Sequence, residues 1–512
     1  MGYKEFDIKI PVYCSEDELR NSITRKAGVN KFSYQIIKKS LDARNKKKIG
    51  WLYRIGILSD ELSFGICPIK PTLIPDYKKQ NKQIVIAGTG PAGLFSALFL
   101  AYSGFKVTLL ERGNKVEERK ESIHKFETTG KFDPKNNYAF GEGGAGTFSD
   151  GKLTSRTKNI SRERNFIFGQ LIEAGAPEEI SYMTHPHLGT DNLYIITQSI
   201  RQKLYNLGCE IKYNCQLEEL KIKNNKVIKA VTPKGEFDTD FLMIATGHSA
   251  YETYRMLLHK GVIFQTKNFA LGFRAEHQQE MINKAQWGVA CLPGIKSAEY
   301  RLTAQTGNNT SVYSFCMCPG GMVVPATPYA HTNIVNGMSY YERNSSWANA
   351  AIVAGVSFDR IFGRSVSAIE ALEWLEKLES SFYQHTKGYA APAATISGFL
   401  QNKSFSTLPA SSYPFPLLES DFSELLPEIL IAPLKEGLKN FCRKLKGYET
   451  GIIIGLESKT SSPIQVRRDP VRMNATFENL YVIGEGSGWA GGIISSAADG
   501  LKTCQQILAY SN

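Results

Sequence analysis

Apolar and polar positions first alternate at Phe6, Ile8 and Ile10, the pattern of a half-buried strand. Ser15-Glu16-Asp17-Glu18 follows, an N-cap with an acid three residues on, and predicts a helix to about Lys26. Extended runs at 33–39 and 49–58 flank the basic stretch 44–48, and Pro68, Pro71 and Pro75 then mark a linker. Residues 1–75 read as a small α+β domain of ferredoxin-like shape. The strongest pattern lies just beyond it. Ile84-Val85-Ile86-Ala87 is an apolar run, and Leu94, Ala97, Leu98 and Ala101 recur at helical spacing. A second apolar run, 107–110, ends on Glu111. Strand, helix and strand succeed one another here, with Gly88-Thr89-Gly90-Pro91-Ala92-Gly93 at the first junction.

The rest of the chain repeats this logic at intervals. Residues 112–138 are charged and partly helical in pattern, 191–207 read as a helix and 209–231 as strands. The run 241–248 is an apolar strand ending in Ala245-Thr246-Gly247-His248. Strand signals fill 265–345, and Ile369, Leu372, Leu375 and Leu378 place a helix over 366–383. Near the end, 480–483 enters Gly484-Glu485-Gly486, and Gly491-Gly492-Ile493 opens an amphipathic helix to about Leu508. The expected fold class is α/β, a Rossmann-like nucleotide-binding domain in two parts, 83–264 and 451–512. A mixed α+β layer, 265–450, is inserted between them.

The glycine junction has a physical reading at each position. Gly88 permits the tight turn, Gly90 lets backbone approach a pyrophosphate, and Gly93 lets the helix pack closely on the sheet. Pro91 sits where a missing N–H costs nothing, Ala92 adds no bulk, and the helix N-terminus faces phosphate charge. Glu111, 18 residues beyond Gly93, is placed to accept from adenosine ribose hydroxyls, with Arg112 beside it. This unit leaves NAD and FAD both open. A second glycine-rich run, 141–153, holds five glycines in thirteen positions. Gly143, Gly144 and Gly146 allow close backbone approach to an extended ligand, Thr147 and Ser149 offer hydroxyls, and Lys152 and Leu153 close the run.

Charge and cysteine content narrow the picture only slightly. Residues 1–82 carry 17 Lys and Arg against 9 Asp and Glu, most of the chain's surplus of +12. That basic module suits either contact with nucleic acid or a plain solvated face. Nine cysteines, odd in number and scattered, fit reduced thiols in a cytoplasm better than a disulfide framework. No group has zinc-ligand spacing, and no metal is expected. The start MGYKEFDIKI has no apolar signal region, Phe6 occupies the position where a myristoylation signal has Ser or Thr, and no apolar run outside the glycine unit is long enough to span a membrane.

Three glycine-bearing strand ends in this order, at 88–93, 245–247 and 484–486, resemble a two-dinucleotide-binding-domain flavoprotein, which implies FAD. Carried over by motif, Glu485 takes the ribityl role, Gly491, Gly492 and Ile493 lie beside the flavin, and Leu217 meets the adenine. The stretches 141–153, 187–191, 245–250, 316–321 and 484–493 further resemble a bacterial family known as FAD-dependent or NAD(FAD)-utilising dehydrogenases, whose members also carry a small basic α+β domain ahead of the flavin domain. The resemblance implies a cytoplasmic FAD-dependent oxidoreductase that transfers hydride between flavin N5 and an organic small molecule, without naming that molecule. No second strand–glycine–helix unit occurs between 160 and 450, so the flavin is reduced by a transiently bound NAD(P)H, by a partner protein or by the substrate itself. An RNA-directed flavoprotein and a flavin sensor without turnover are the rival readings.

Candidate chemistry outside the glycine motifs is sparse. Cys316 and Cys318, beside a Pro-Gly-Gly turn, are a redox pair or nucleophile if backbone amides lower a thiol pKa, or core filler sharing one strand face. His248 is a hydrogen-bond donor or acid–base group at the cofactor, or a packing residue. His185 and His187 form a metal pair or serve a loop. Arg274-Ala275-Glu276-His277 anchors an acidic substrate or forms a surface salt bridge, and Ser461-Ser462 and Arg467-Arg468 line the substrate side or cover the flavin.

Overall fold

The computed structural model describes residues 1–403 and 407–511. Gln83–Ala87 sits at the centre of a five-stranded parallel sheet. Lys106–Leu110 and Glu210–Lys212 lie to one side, Phe241–Ile244 and Leu480–Val482 to the other. Ile84, Val85 and Ile86 are fully buried, as both faces of a covered parallel sheet require. The helix Pro91–Tyr102 covers one face with Ile493–Ser511, and Ala97, Leu98, Ala497, Ala498 and Leu501 share one core. The three glycine-bearing strand ends all fall at the carboxyl edge of this sheet, where a nucleotide crevice opens in such folds.

A second sheet has seven strands in the order 303–305, 311–318, 347–356, 269–278, 452–457, 391–395, 417–419. Its middle strand, Phe269–Gln278, sends Leu271, Phe273 and Ala275 into a core shared with Leu372 and Leu375 of the helix Ala368–Thr386 and Leu434 and Leu438 of Glu428–Lys444. Arg274 and Glu276 alternate to the other face. The strand Ile452–Glu457 is paired inside this sheet, antiparallel to Phe269–Gln278. This strand, expected in the second part of the nucleotide-binding domain, thus pairs within the second sheet.

Residues 1–59 form a βαββ unit, with Glu16–Ala27 packed on a three-stranded antiparallel sheet through Leu19, Ile23, Ile55 and Ile57. The ferredoxin-like plan is corrected, since that plan needs a fourth strand and a second helix. The capping box is present: Ser15 Oγ accepts from the Glu18 N–H at 3.2 Å, and Glu18 Oε2 accepts from the Ser15 N–H at 2.8 Å. The unit docks by its second strand, where Lys39 N–H donates to Tyr182 O at 2.8 Å and Thr184 N–H donates to Lys39 O at 2.9 Å. Its basic side chains are partly neutralised, Arg54 by Asp7, and Arg44 and Lys9 by Asp42. No helix among the described residues is long and apolar enough to cross a membrane.

Candidate functional site

A cavity of about 1210 Å³ runs from the glycine edge of the parallel sheet to the seven-stranded sheet. Gly88, Gly90, Pro91 and Ala92 floor one end, with Glu111, Arg112 and Leu217. Gly144, Gly146, Ala245, Thr246, Gly247 and His248 line its middle, with Gly484, Glu485, Gly491, Gly492 and Ile493. Lys152 and Cys316 stand on the far wall. The remaining expected contacts do not line this cavity. A Cβ on Gly93 would fall 2.0 Å from Gly88 O, so this glycine serves helix–strand packing. Gly143 donates its N–H to Thr89 O at 3.0 Å, Thr147 is buried with its carbonyl accepting from Thr190 Oγ1, and Leu153 is core. Gly486 leaves room for the Tyr254 hydroxyl, and Cys318 is fully buried.

The floor is built for a diphosphate-bearing ligand. Gly144 and Gly90 meet back to back, so closely that a Cβ on Gly144 would lie 2.9 Å from Gly90 Cα. No side chain caps the helix starting at Pro91, which leaves its first-turn N–H groups and positive dipole end for an anion. Glu111 is buried and braces the turn, its carboxylate accepting from Thr89 N–H (3.1 Å), Thr89 Oγ1 (2.6 Å) and Gly113 N–H (2.9 Å). Arg112 lies over the Phe140 ring, 3.9 Å from its centroid, and pairs with Glu252. Glu252 also takes Gln216 at 3.1 Å and the Tyr329 hydroxyl. This network escapes sequence reading, since nothing links Arg112 to Glu252 until the strands at 83–87 and 241–244 pair.

Among the described residues, two buried polar atoms on the cavity have no hydrogen-bond partner, Thr246 Oγ1 and His248 Nε2. Buried polar atoms without partners are costly, and a bound ligand with acceptors or donors there would satisfy them. Around them Gly247 and Gly492 face open space, where an added Cβ would meet nothing within 4 Å. His248 Nδ1 lies 3.6 Å from Glu485 Oε2. The Gly484 N–H donates to Asp499, itself held by Arg468 at 2.8 Å, so Arg468 braces the floor. The residues present fit an extended flavin dinucleotide.

The regular alternation that would put Cys316 and Cys318 on one strand face is broken. Cys316 has φ +44°, and pairing with 347–356 slips between Phe315 and Cys318, a bulge that turns Cys316 toward the cavity. Cys318 donates to Cys316 O at 3.4 Å. Hydrogen bonding from Cys318 holds the Cys316 thiol down at about 7 against its burial, with help from the Arg274 and Lys152 charges, while Cys318 is pushed well up. Arg274 is neither a surface residue nor open to a substrate. It is fully buried, paired with Glu457 at 3.0 Å and hydrogen-bonded to Asn349 (2.7 Å), Asn336 (2.9 Å) and Cys316 O (3.3 Å). Glu276 accepts from the Ser411 hydroxyl, and His277 Nε2 donates to the Tyr448 carbonyl, both inside the fold. His185 contacts Glu299 and His187 the Tyr341 carbonyl. Among the described residues no cluster of three or more His, Cys, Asp or Glu could hold a metal. All nine cysteines are free.

A glycine-floored crevice at the carboxyl edge of a parallel sheet, facing a second sheet across one cavity, defines a dinucleotide-binding protein of α/β class. Residues 268–460 match the family model described as FAD-dependent protein, C-terminal domain-like. An uncharacterized protein of Clostridium beijerinckii is 38% identical over 493 residues, 92% of each chain. Solved structures with a likeness include glycine oxidase from Bacillus cereus (12% identity, 84% of this chain and 96% of that one, TM-score 0.32). Another is CmlS, a flavin-dependent halogenase (11% identity, 83% and 57%, TM-score 0.36). The chain belongs to the bacterial family of FAD-dependent proteins, and its cofactor is FAD.

Proposed function

We propose that this chain is an FAD-dependent oxidoreductase that moves hydride between flavin and an organic small molecule. The observation that carries the reading is the single cavity joining the glycine floors to the wall bearing Cys316 and Lys152. The cofactor supplies two-electron chemistry when bound, and the chain supplies position and electrostatics. Gly88, Gly90 and Gly144 hold the diphosphate, Glu111 and Leu217 the adenosine end, and Glu485 the ribityl chain. Gly491, Gly492 and Ile493 lie beside the ring. His248 is the proton-handling residue in this reading, because its Nε2 is buried without a partner among the described residues and its Nδ1 lies 3.6 Å from the Glu485 carboxylate. Cys316 presents its thiol from the opposite wall, and Cys318 is a positioning residue. Residues 83–264 and 458–511 form the cofactor domain in this reading, 265–457 the substrate layer and 1–75 a docked module.

The test is anaerobic titration of the FAD-loaded protein with NADH and NADPH, followed by absorbance in the flavin band. Bleaching by either, with reoxidation by an organic acceptor or oxygen, is the expected result. A flavin that resists both nicotinamides and every organic donor offered would overturn the reading in favour of a sensor without turnover.

A further inference from the structure

One wall of the cavity is not used by the cofactor reading. Tyr313 and Phe315, two apart on the strand Ser311–Cys318, both line it, and Phe315 keeps 40% of its surface exposed. A large ring left uncovered inside a cavity is apolar surface available to a ligand. The charges around these rings do not balance. Asp150 accepts from Arg343 at 2.6 Å, and Glu299 takes His185 at 2.5 Å with Arg343 and Lys152 at 3.9 and 4.0 Å. Burial opposes ionisation of both carboxyls. The Arg343 and Lys152 charges around Asp150, and the His185 contact with Lys152 and Arg343 around Glu299, outweigh it and hold both below the ordinary range. The local acids are thus fully matched by cations, yet Arg156 and Arg301 also line the cavity. Both are exposed, and neither guanidinium forms an ion pair among the described residues. Burial raises the Tyr313 phenol and the charge of Arg156 opposes that rise.

We propose that this wall recognises an anionic small molecule with a planar unsaturated body, an aromatic or conjugated carboxylate. The ring lies against Phe315 and Tyr313, and the carboxylate is taken by Arg156 and Arg301. Guanidinium forks match a carboxylate in two parallel hydrogen bonds, and a flat apolar body removes ring surface from water without needing further polar partners. The assignment deepens the oxidoreductase reading by naming its substrate class, and it rests on that reading for the redox step alone, not for binding.

The probes are benzoate, its neutral counterpart benzamide, and acetate, which keeps the charge without the ring. Each is titrated into the FAD-loaded protein by isothermal calorimetry, which needs no flavin turnover. Benzoate is expected to bind at least tenfold tighter than either control. The double change Arg156→Ala/Arg301→Ala should erase the preference over benzamide at unchanged FAD content, and Phe315→Ala should weaken benzoate and benzamide alike. Equal binding of benzoate and benzamide, equal binding of benzoate and acetate, or a preference that survives loss of both arginines would overturn the proposal. A protein that binds benzoate selectively yet never reduces its flavin would fail the oxidoreductase reading and leave this one standing. One that turns over without the benzoate preference would do the reverse.

Discussion

Gly144→Ala tests the meeting of the two glycine runs directly. Gly144 has φ +66° and ψ −172°, a region that only glycine occupies freely. Holding alanine there costs about 1–3 kcal/mol. The new Cβ would also lie 2.9 Å from Gly90 Cα, backbone that cannot swing aside. Relief requires the two runs to part, at a further cost of about 1–3 kcal/mol typical of overpacking. Together they come to about 2–6 kcal/mol. Because the separated runs are those proposed to hold the diphosphate, part of the loss should fall on the cofactor-bound state. A share of about 1.4 kcal/mol raises the Kd for FAD tenfold. The assay is urea unfolding of the apo and FAD-loaded protein by circular dichroism, with FAD affinity from flavin fluorescence. Gly130→Ala is the control: it has φ +72° at a helix end with open space around it. It should cost about 1 kcal/mol of stability and leave FAD affinity alone. If Gly144→Ala bound FAD like the parent and lost under about 0.5 kcal/mol, the back-to-back cradle of Gly90 and Gly144 would be refuted.

Other expectations rest on single contacts. Iodoacetamide should alkylate Cys316 with a rate that rises through pH 7, and Cys318→Ala should move that midpoint upward; a Cys316 that reacts only above pH 8.5 like a free thiol would count against the bulge-and-charge account. His248→Asn should keep FAD bound but slow substrate-linked flavin reduction at least a hundredfold, in the range lost with a general acid–base group; an unchanged rate would reduce His248 to packing. Ser15→Ala should cost about 1 kcal/mol in urea melts by removing the cap of the first helix, with no effect on the flavin spectrum. His187 and His277 are held by burial at about 4. The unfolded chain therefore binds more protons than the folded one between pH 6.5 and 4, and stability should fall as pH drops through that window. A urea midpoint unchanged from pH 7 to 4.5 would contradict it.

What can be read in the chain is what local backbone geometry dictates. Gly88 and Gly93 stand where a tight turn and a helix–strand contact each exclude a side chain, and the structure shows those two constraints, whereas a Cβ on Gly90 would meet only Gly144 Cα at an ordinary 3.7 Å. The Ser15–Glu18 capping box is equally local. The misread features depend on pairing between distant segments. Alternation at 311–318 predicts Cys316 and Cys318 on one face, but pairing with 347–356 inserts a bulge that no local pattern announces. Arg274 reads as a surface cation until Glu457, 183 residues later, is brought beside it by an antiparallel neighbour. For the same reason 452–457 reads as part of the wrong sheet: an apolar run followed by small residues suits either one.

The measurement that tests the account most directly is titration of the cofactor-free protein with FAD, read by visible absorbance and flavin fluorescence. The account predicts one FAD per chain, with a shifted flavin band and binding weakened by Gly144→Ala but not by Gly130→Ala. A protein that stays colourless after reconstitution, or takes up FAD with equal affinity in all three forms, would contradict it.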